Sequence, residues 1–304
     1  MGPHRAPGPA GGGVHDDVTP ARWLVLVPVA AAVLVYLAAV LRLRSRGTGW
    51  PLSRSLSWVC GWGCVGVALA GPLAARAHHD FAVHMVTHVA MGMLAPLLLV
   101  SAAPFTLVLR ALPVREARPL ARALASRPVA VVAHPLTAAL LDLGGLWLLY
   151  RTGLYHATMT DPWVHLAVSV HVVAAGYLFT AAVLGGPDPA PHRAPIAWRV
   201  GVLVAALAAH NVLAKVLYAH PPPGVPVEQA EQASQWMYYG GMLVEIPLLV
   251  LLCRSWLATG PRAGGDPAAA GTHRVDGRQQ QADREQDQPA QPHVGLDLGE
   301  QQHA

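Results

Sequence analysis

Two histidines spaced by one helical turn lie in the apolar segment over residues 80–96. On a helix, His84 and His88 project from one face, with Asp80 a turn before them and Met91 about a turn after. Two imidazoles at this spacing can reach one metal ion, and thioethers combined with imidazoles suit copper, particularly Cu(I). Ionisable groups within a membrane segment usually face a bundle interior. The segment predicts a copper site, and a polar seam between packed helices is the alternative.

Neighbouring groups in the same segment are predicted to assist the two histidines. We interpret Asp80 as a carboxylate that orients His84, because metal-ligating histidines commonly donate their second ring nitrogen to such a group. Met85 and Met93 add further soft thioether donors beside Met91. The predicted site therefore combines imidazole, thioether and carboxylate groups.

Later apolar segments also carry ionisable residues. His165 and His171 are six residues apart, about 120° around a helix, so one ion would need help from other helices to bind both. His210 and Glu245 lie in two further segments. A carboxylate such as Glu245 within a membrane requires a partner or a proton, and Lys215 is a candidate partner only if the two segments adjoin. We expect His165, His171 or His210 to complete the copper coordination.

Other motifs in the chain argue for structure rather than chemistry. Cys60 and Cys64 have the spacing of some copper-transfer motifs, but the glycines around them favour close helix packing. Asp142 and His134 have no assigned role. The sequence contains no nucleophile elbow, Gly-rich phosphate loop, H-E-x-x-H or C-x-x-C-H motif. Covalent catalysis and nucleotide hydrolysis are therefore unsupported, and we predict that the protein is not an enzyme.

The composition is that of an integral membrane protein. Of the 304 residues, 53% are hydrophobic and 12% are charged, and the apolar residues form long blocks. The formal net charge is +4, but the arginines cluster at the ends of these blocks, where they act as topology signals. We expect membrane lipid and no nucleic acid as a partner. The three cysteines do not provide a disulfide framework.

Seven apolar segments, each long enough to cross a hydrocarbon core, predict an all-α polytopic membrane helix bundle. We place the spans at 23–41, 56–75, 81–103, 130–150, 164–184, 198–218 and 236–257. The third segment contains Pro96, which predicts a kink followed by a tilted or interfacial extension.

The seven-span domain is predicted to extend over residues 21–258 and to carry a polar segment at each end. Residues 1–20 are rich in Gly and Pro and predict a disordered leader, and residues 259–304 predict a disordered cytoplasmic tail. Arg and Lys alternate between rich and poor connections, so the positive-inside rule places the N-terminus outside and the C-terminus inside. This orientation places the histidines discussed above in the outer half, with His134 as the exception.

Several stretches between residues 50 and 257 carry a family resemblance through their order and spacing. They are His84-Met85-Val86-Thr87-His88, Ser101-Ala102-Ala103-Pro104, His134-Pro135, Gly176-Tyr177-Leu178-Phe179, Leu184-Gly185-Gly186-Pro187-Asp188-Pro189 and the stretch from Gly240-Gly241 to Glu245. Together they resemble the CtaG family of cytochrome c oxidase assembly factors, which is tied to caa3-type oxidases.

The resemblance implies a multi-pass protein of the bacterial plasma membrane that is needed to assemble an active haem–copper oxidase. It implies cytochrome c oxidase subunits as partners and a role in copper supply. The histidines of the family fall here on His84, His88, His134, His165, His171 and His210.

Two alternatives remain open at the level of sequence. In a b-type haem-binding membrane electron-transfer protein, His88, His171 and His210 would ligate haem axially. In a structural assembly scaffold without metal, the histidines would only connect helices. Our leading hypothesis is an assembly factor that transiently binds copper through His84 and His88.

Overall fold

The computed structural model of the protein describes residues 26–259, and every regular element in this range is helical. The all-α prediction is therefore confirmed for the described part of the chain. The predicted leader over residues 1–20 lies outside the described residues, as does the predicted tail from residue 260 onward.

Long apolar helices alternate with short connecting helices. Within the described range they are α1 (Leu26–Ser45), α2 (Leu52–Leu69), α3 (Pro72–Ala77), α4 (Phe81–His88), π1 (Val89–Leu94), α5 (Ala95–Ser101), α6 (Pro104–Ala111), α7 (Val114–Leu124), α8 (Arg127–Val132), α9 (Pro135–Arg151), α10 (Leu154–Thr160), α11 (Pro162–Leu184), α12 (Ile196–Ala219), α13 (Val227–Gln235), π2 (Trp236–Gly240) and α14 (Gly241–Thr259).

Five helical segments of the described chain are long and apolar enough to cross a membrane. They are Leu26–Ser45, Phe81–Ala111, Pro162–Leu184, Ile196–Ala219 and Val227–Leu257. The other two predicted spans are also helical, but α2 and α9 are only 18 and 17 residues long and are not among those five. The protein is thus a polytopic helical membrane protein.

Local sequence signals set the ends of the long helices. Asp161 caps α11 by accepting hydrogen bonds from two main-chain amides of the first turn, and Pro162 occupies the first helical position. Gly185 ends the same helix with a φ of 60°, a left-handed conformation that glycine adopts without steric cost. His134 caps α9 through Nδ1, which accepts a hydrogen bond from the amide of Leu136 at 3.3 Å.

The predicted third span contains the main irregularity. The helix widens into π1 between α4 and α5, and Pro96 then occupies the first turn of α5. The chain breaks sharply at Ala103, a buried residue with a φ of 55°, before α6 begins. The extension after Pro104 is a separate short helix, so the irregularity spreads over more of the segment than the predicted kink at Pro96.

Glycines allow the central helices to approach closely. A Cβ atom on Gly176 of α11 would lie 2.4 Å from the carbonyl oxygen of Gly92 in π1. A Cβ atom on Gly61 of α2 would lie 2.9 Å from the side chain of Leu99 in α5. The predicted packing role of the glycines beside the cysteine pair is thus consistent with the contact at Gly61. These contacts hold π1 and α5 between α2 and α11.

The first described helix is held near its middle by a pair of hydrogen bonds. The Tyr36 hydroxyl donates to the carbonyl oxygen of Ala102 at 2.8 Å, and the indole N–H of Trp50 donates to the Tyr36 hydroxyl at 3.1 Å. The ring of Tyr36 also stacks on Trp58 of α2 with centroids 4.7 Å apart. Apart from these contacts, α1 exposes most of its surface, as expected for a lipid-facing helix.

Candidate metal-binding cavities

Four of the predicted ligands line one cavity of about 50 Å³, which we call the histidine–methionine cavity. They are His84, His88, Met91 and His165. The first three lie on α4 and π1, and His165 lies in the first turn of α11. The predicted i, i+4 stripe therefore does face a cavity within the bundle.

His84 has a phenol as its polar neighbour. Its Nε2 lies 3.1 Å from the hydroxyl oxygen of Tyr150 on α9, and that hydroxyl lies 3.9 Å from Sδ of Met85. The imidazole ring also stacks on Phe81 with centroids 5.8 Å apart. Tyr150 was not among the predicted site residues, because the spacing of residues along one helix does not show which side chain faces it from another.

Tyr155 closes the other side of the His84 ring. The two rings meet edge to face with centroids 5.1 Å apart. Tyr155 lies on the short connecting helix α10, where burial, assisted by the nearby Asp80 carboxylate, raises the pKa of its hydroxyl to about 12. The phenol therefore stays neutral at physiological pH and acts as an aromatic wall.

His88 lies deeper and has an unsatisfied nitrogen. Only 7% of the residue is exposed, and its Nε2 has no hydrogen-bond partner. A Cβ atom on Gly92 would lie 3.3 Å from Cε1 of His88, so the glycine makes room for the ring. An imidazole nitrogen that is buried without a partner is unusual and is free to bind a ligand.

A further histidine lies at the mouth of the cavity. His78, at the end of α3, lines the cavity, and its ring centroid lies 5.2 Å from that of His165. Both residues are partly exposed, whereas His88 is buried. No helical spacing connects His78 with the α4 stripe, so no signal in the sequence assigned it to the site. Imidazoles thus extend from the mouth of the cavity to its base.

A second cavity of about 60 Å³ lies on the other side of His88, and we call it the glutamate cavity. His210 and Glu245 line it, with 5% and 7% of each residue exposed. Nδ1 of His210 lies 3.1 Å from Oε1 of Glu245, but the angles are not those of a hydrogen bond. Asp142 of α9 and Met93 of π1 also line this cavity. The cavity therefore gathers ionisable groups from α9, α12 and α14, of which His210 and Glu245 are buried.

The structure gives Glu245 a different neighbour from the one considered in the sequence. Lys215 extends over the ring of Tyr238 at 5.9 Å from its centroid, whereas His210 contacts Glu245. A Cβ atom on Gly241 would lie 2.8 Å from Cε1 of His210. The glycine is therefore what lets the imidazole lie against α14.

Two of the predicted ligands line neither cavity. Oδ1 of Asp80 accepts hydrogen bonds from the amides of Ala82 and Val83 at 2.8 and 3.2 Å, so this carboxylate caps α4. Nε2 of His171 lies 3.0 Å from the carbonyl oxygen of Leu141 and connects α11 with α9. His165 and His171 do point in different directions, as their spacing indicates.

Within residues 26–259, no group of three or more His, Cys, Asp or Glu side chains is arranged to hold a metal ion as it stands. The histidine–methionine cavity instead offers imidazoles with two thioethers, those of Met91 and Met159, and this donor set suits Cu(I). Coordination there would require side-chain movement, beginning with separation of His84 from the Tyr150 hydroxyl.

The sequence model of the cytochrome c oxidase caa3 assembly factor family, Caa3_CtaG, matches residues 34–259. The chain belongs to this family. The matched range contains both cavities of this Caa3_CtaG member, together with all helices from α2 to α14. The family that the sequence motifs resembled is thereby confirmed.

Similar curated proteins come from mycobacteria. Uncharacterized proteins of Mycobacterium bovis and Mycobacterium tuberculosis are each 35% identical over 196 residues, which is 61% of this chain and 29% of theirs. An uncharacterized protein of Mycobacterium leprae is 33% identical over 184 residues, or 58% of this chain and 28% of its own. The Caa3_CtaG chain thus matches less than a third of the length of these relatives. No solved structure is significantly similar to it.

Proposed function

We propose that the protein is a membrane accessory factor for the assembly of a haem–copper cytochrome c oxidase and that it binds copper transiently in the histidine–methionine cavity. Family membership supports the assembly role. The observation that supports copper binding is the convergence of His84, His88, His165 and Met91 on one cavity. We propose cytochrome c oxidase subunits as its clients and the bacterial plasma membrane as its location.

The proposed topology has seven spans, in which α2 and α9 cross the membrane although they are short. At about 1.5 Å per residue, 17 or 18 residues extend roughly 26 Å, which a slightly thinned bilayer accommodates. The arginine distribution supports an external N-terminus and an internal C-terminus. In this orientation, the mouth between His78 and His165 faces outward, where an incoming ion would first meet these two partly exposed imidazoles.

The residues of the cavity have different roles in the proposed copper binding. His88 offers a free buried nitrogen, His84 offers Nε2 once Tyr150 releases it, and Met91 offers a thioether. In this proposal, copper would only bind to these soft and borderline donors, and no redox step is involved. Because the donors approach but do not form a closed cluster, the site suits an ion that is passed on rather than held permanently.

The haem alternative has little support in the geometry. His88 and His210 do line one cavity, but its volume of about 60 Å³ is far too small for a porphyrin. His171 lies against the carbonyl oxygen of Leu141, outside this cavity. A scaffold without metal is therefore the main competing hypothesis, and it predicts that the cavity histidines affect only folding.

The test is metal analysis and an absorption spectrum of detergent-purified protein before and after Cu(I) loading. We expect about one copper per chain in wild type and loss of this copper in the His84→Ala/His88→Ala double variant. The matched control is the His156→Ala/His220→Ala double variant, because both of these histidines are exposed and neither lines the cavity.

Thermal unfolding of each variant separates loss of the site from loss of the fold. A folded double variant that has lost copper supports the proposal. Equal copper in the double variant and the control contradicts it, a Soret band indicates the cytochrome, and wild type without metal or haem indicates the scaffold.

A further inference from the structure

A long apolar groove lies beside the histidine–methionine cavity, with which it shares Leu69 and Ser169 as lining residues. Its volume is about 830 Å³, and its walls come from α1, α2, α8 and α11. Along α11 the wall extends from Leu166 to Gly185, a rise of about 28 Å, which is close to the ~30 Å thickness of a hydrocarbon core. Trp58 and Trp62 of α2 form part of the opposite wall. The groove therefore runs parallel to the acyl chains of a bilayer.

Charge is confined to one end of this groove. Asp188, His192 and Arg193 line it just beyond the end of α11. Both carboxylate oxygens of Asp188 are engaged, since they accept hydrogen bonds from the amides of Phe105 and Thr106 and from the Thr106 hydroxyl. The acidic group at this end is therefore committed to fixing the start of α6.

The guanidinium of Arg193 is exposed and has no carboxylate partner. Among the described residues, the salt bridges are Arg115–Glu116 and His210–Glu245. Arg193 donates to the main-chain carbonyls of Gly185 and Gly186, which leaves donors of its fork unused. These two hydrogen bonds hold the cation at the end of the groove.

The helices next to this end are also basic. The amphipathic helix α7 has no buried residue and carries Arg115, Arg118 and Arg122 against one acid, Glu116. Leu124 at its end lines the groove, as does Val129 of α8. A basic amphipathic helix of this kind lies in the membrane interface and attracts anionic headgroups. The charge around the groove end thus complements a negative ligand.

We propose that this groove is a binding site for an anionic phospholipid. The acyl chain of the lipid lies against α2 and α11, and its headgroup phosphate lies at Arg193. A lipid matches both the narrow apolar wall and the single cationic end. The site is independent of the proposed copper function.

The test is native mass spectrometry of the delipidated full chain titrated with phosphatidylglycerol or phosphatidylcholine that carry the same acyl chains. Wild type is expected to bind one phosphatidylglycerol at least about fivefold more tightly than phosphatidylcholine, the selectivity that one arginine near a membrane surface supplies. Arg193→Gln is expected to abolish this preference while weak binding of both lipids persists. Arg151→Gln, which removes an exposed arginine outside the groove, is the matched control and retains the preference.

A second variant tests the groove rather than the charge. Ala174 is exposed and lines the groove, so Ala174→Trp fills it without disturbing buried packing. This variant is expected to lose both lipids while its unfolding temperature is retained. Inorganic phosphate at millimolar concentration is expected not to displace the lipid. Equal affinity for the two lipids in wild type, unchanged selectivity in Arg193→Gln, or displacement by free phosphate would overturn the proposal.

Discussion

The histidine–methionine cavity and the glutamate cavity share His88, yet they differ in how their other polar groups are partnered. In the first cavity, His84 has a neutral phenol beside it, and the mouth is partly exposed. In the second, both ring nitrogens of His210 and Oε1 of Glu245 are buried without a hydrogen bond. Thioether and imidazole favour a soft ion, whereas the carboxylates of the second cavity do not. A ligand set that looks continuous in the sequence is thus divided by the fold.

The largest expected effect separates His88 from His210 as a ligand. His88→Asn is expected to weaken Cu(I) binding by more than about tenfold, since even loss of a group that only supports a metal ligand reaches that range. His210→Asn is expected to change the affinity less than twofold, because His210 does not line the histidine–methionine cavity. Competition titration with a chromogenic Cu(I) chelator measures both values.

The same titration can show whether the two cavities are separate sites. Equal losses in the two variants would mean that His210 coordinates with His88 and that the cavities form one site.

A second prediction concerns the close contact that shapes the wall of the glutamate cavity. Gly176→Ala places a Cβ atom against the carbonyl oxygen of Gly92 and is expected to destabilise the fold by about 1–3 kcal/mol, as overpacking does. Gly144→Ala is the control, because nothing lies within 4 Å of its added Cβ atom. Unfolding in detergent, followed by tryptophan fluorescence, compares the two variants. Equal midpoints would show that the helices can separate at no cost.

A third prediction tests the pairing in the glutamate cavity. His210→Ala removes a buried imidazole that lies 3.1 Å from the Glu245 carboxylate and leaves a void in its place, so it is expected to lower stability by about 1–3 kcal/mol. Glu245→Gln keeps the shape and removes a buried carboxylate, so stability is expected to be unchanged or higher. The two unfolding midpoints, measured in the same detergent, report the difference. A lower midpoint for Glu245→Gln than for His210→Ala would show that the carboxylate is required for folding.

The smallest expected effect comes from the phenol beside His84. Tyr150→Phe removes the hydroxyl that lies 3.1 Å from Nε2 and is expected to raise Cu(I) affinity about fivefold, which corresponds to one neutral hydrogen bond of about 1 kcal/mol. Tyr155→Phe, which removes a hydroxyl from the neighbouring aromatic wall, is the control. A fall in affinity instead would mean that Tyr150 orients the imidazole for binding.

Much of the fold follows from hydropathy. The predicted spans at 164–184 and 198–218 agree within two residues with α11 and α12, because long apolar blocks bounded by proline and glycine leave little freedom. The short helices α6, α7 and α8 were not predicted as separate elements. They contain several prolines and few long apolar runs, so neither hydropathy nor period marks their ends.

The site was only partly predictable for a related reason. The spacing of His84 and His88 fixes their common face, since that geometry depends on one helix alone. Which other helix brings its histidine to that face depends on helix neighbours and rotation. Those are set by contacts such as Gly92 with Gly176 and Gly241 with His210, which no local pattern reveals. Both histidines of α11 were predicted ligands, but only His165 lines the histidine–methionine cavity, whereas His171 does not.

The hydrogen bond from Tyr36 to the carbonyl oxygen of Ala102 has a consequence for synthesis. Its two ends are 66 residues apart in the chain. At roughly 5–20 residues per second, a ribosome needs on the order of 3–13 s to make the acceptor after the donor. During this interval α1 rests in the bilayer without the partner that later anchors it. Insertion of α5 and α6 therefore completes the docking of a helix made several seconds before.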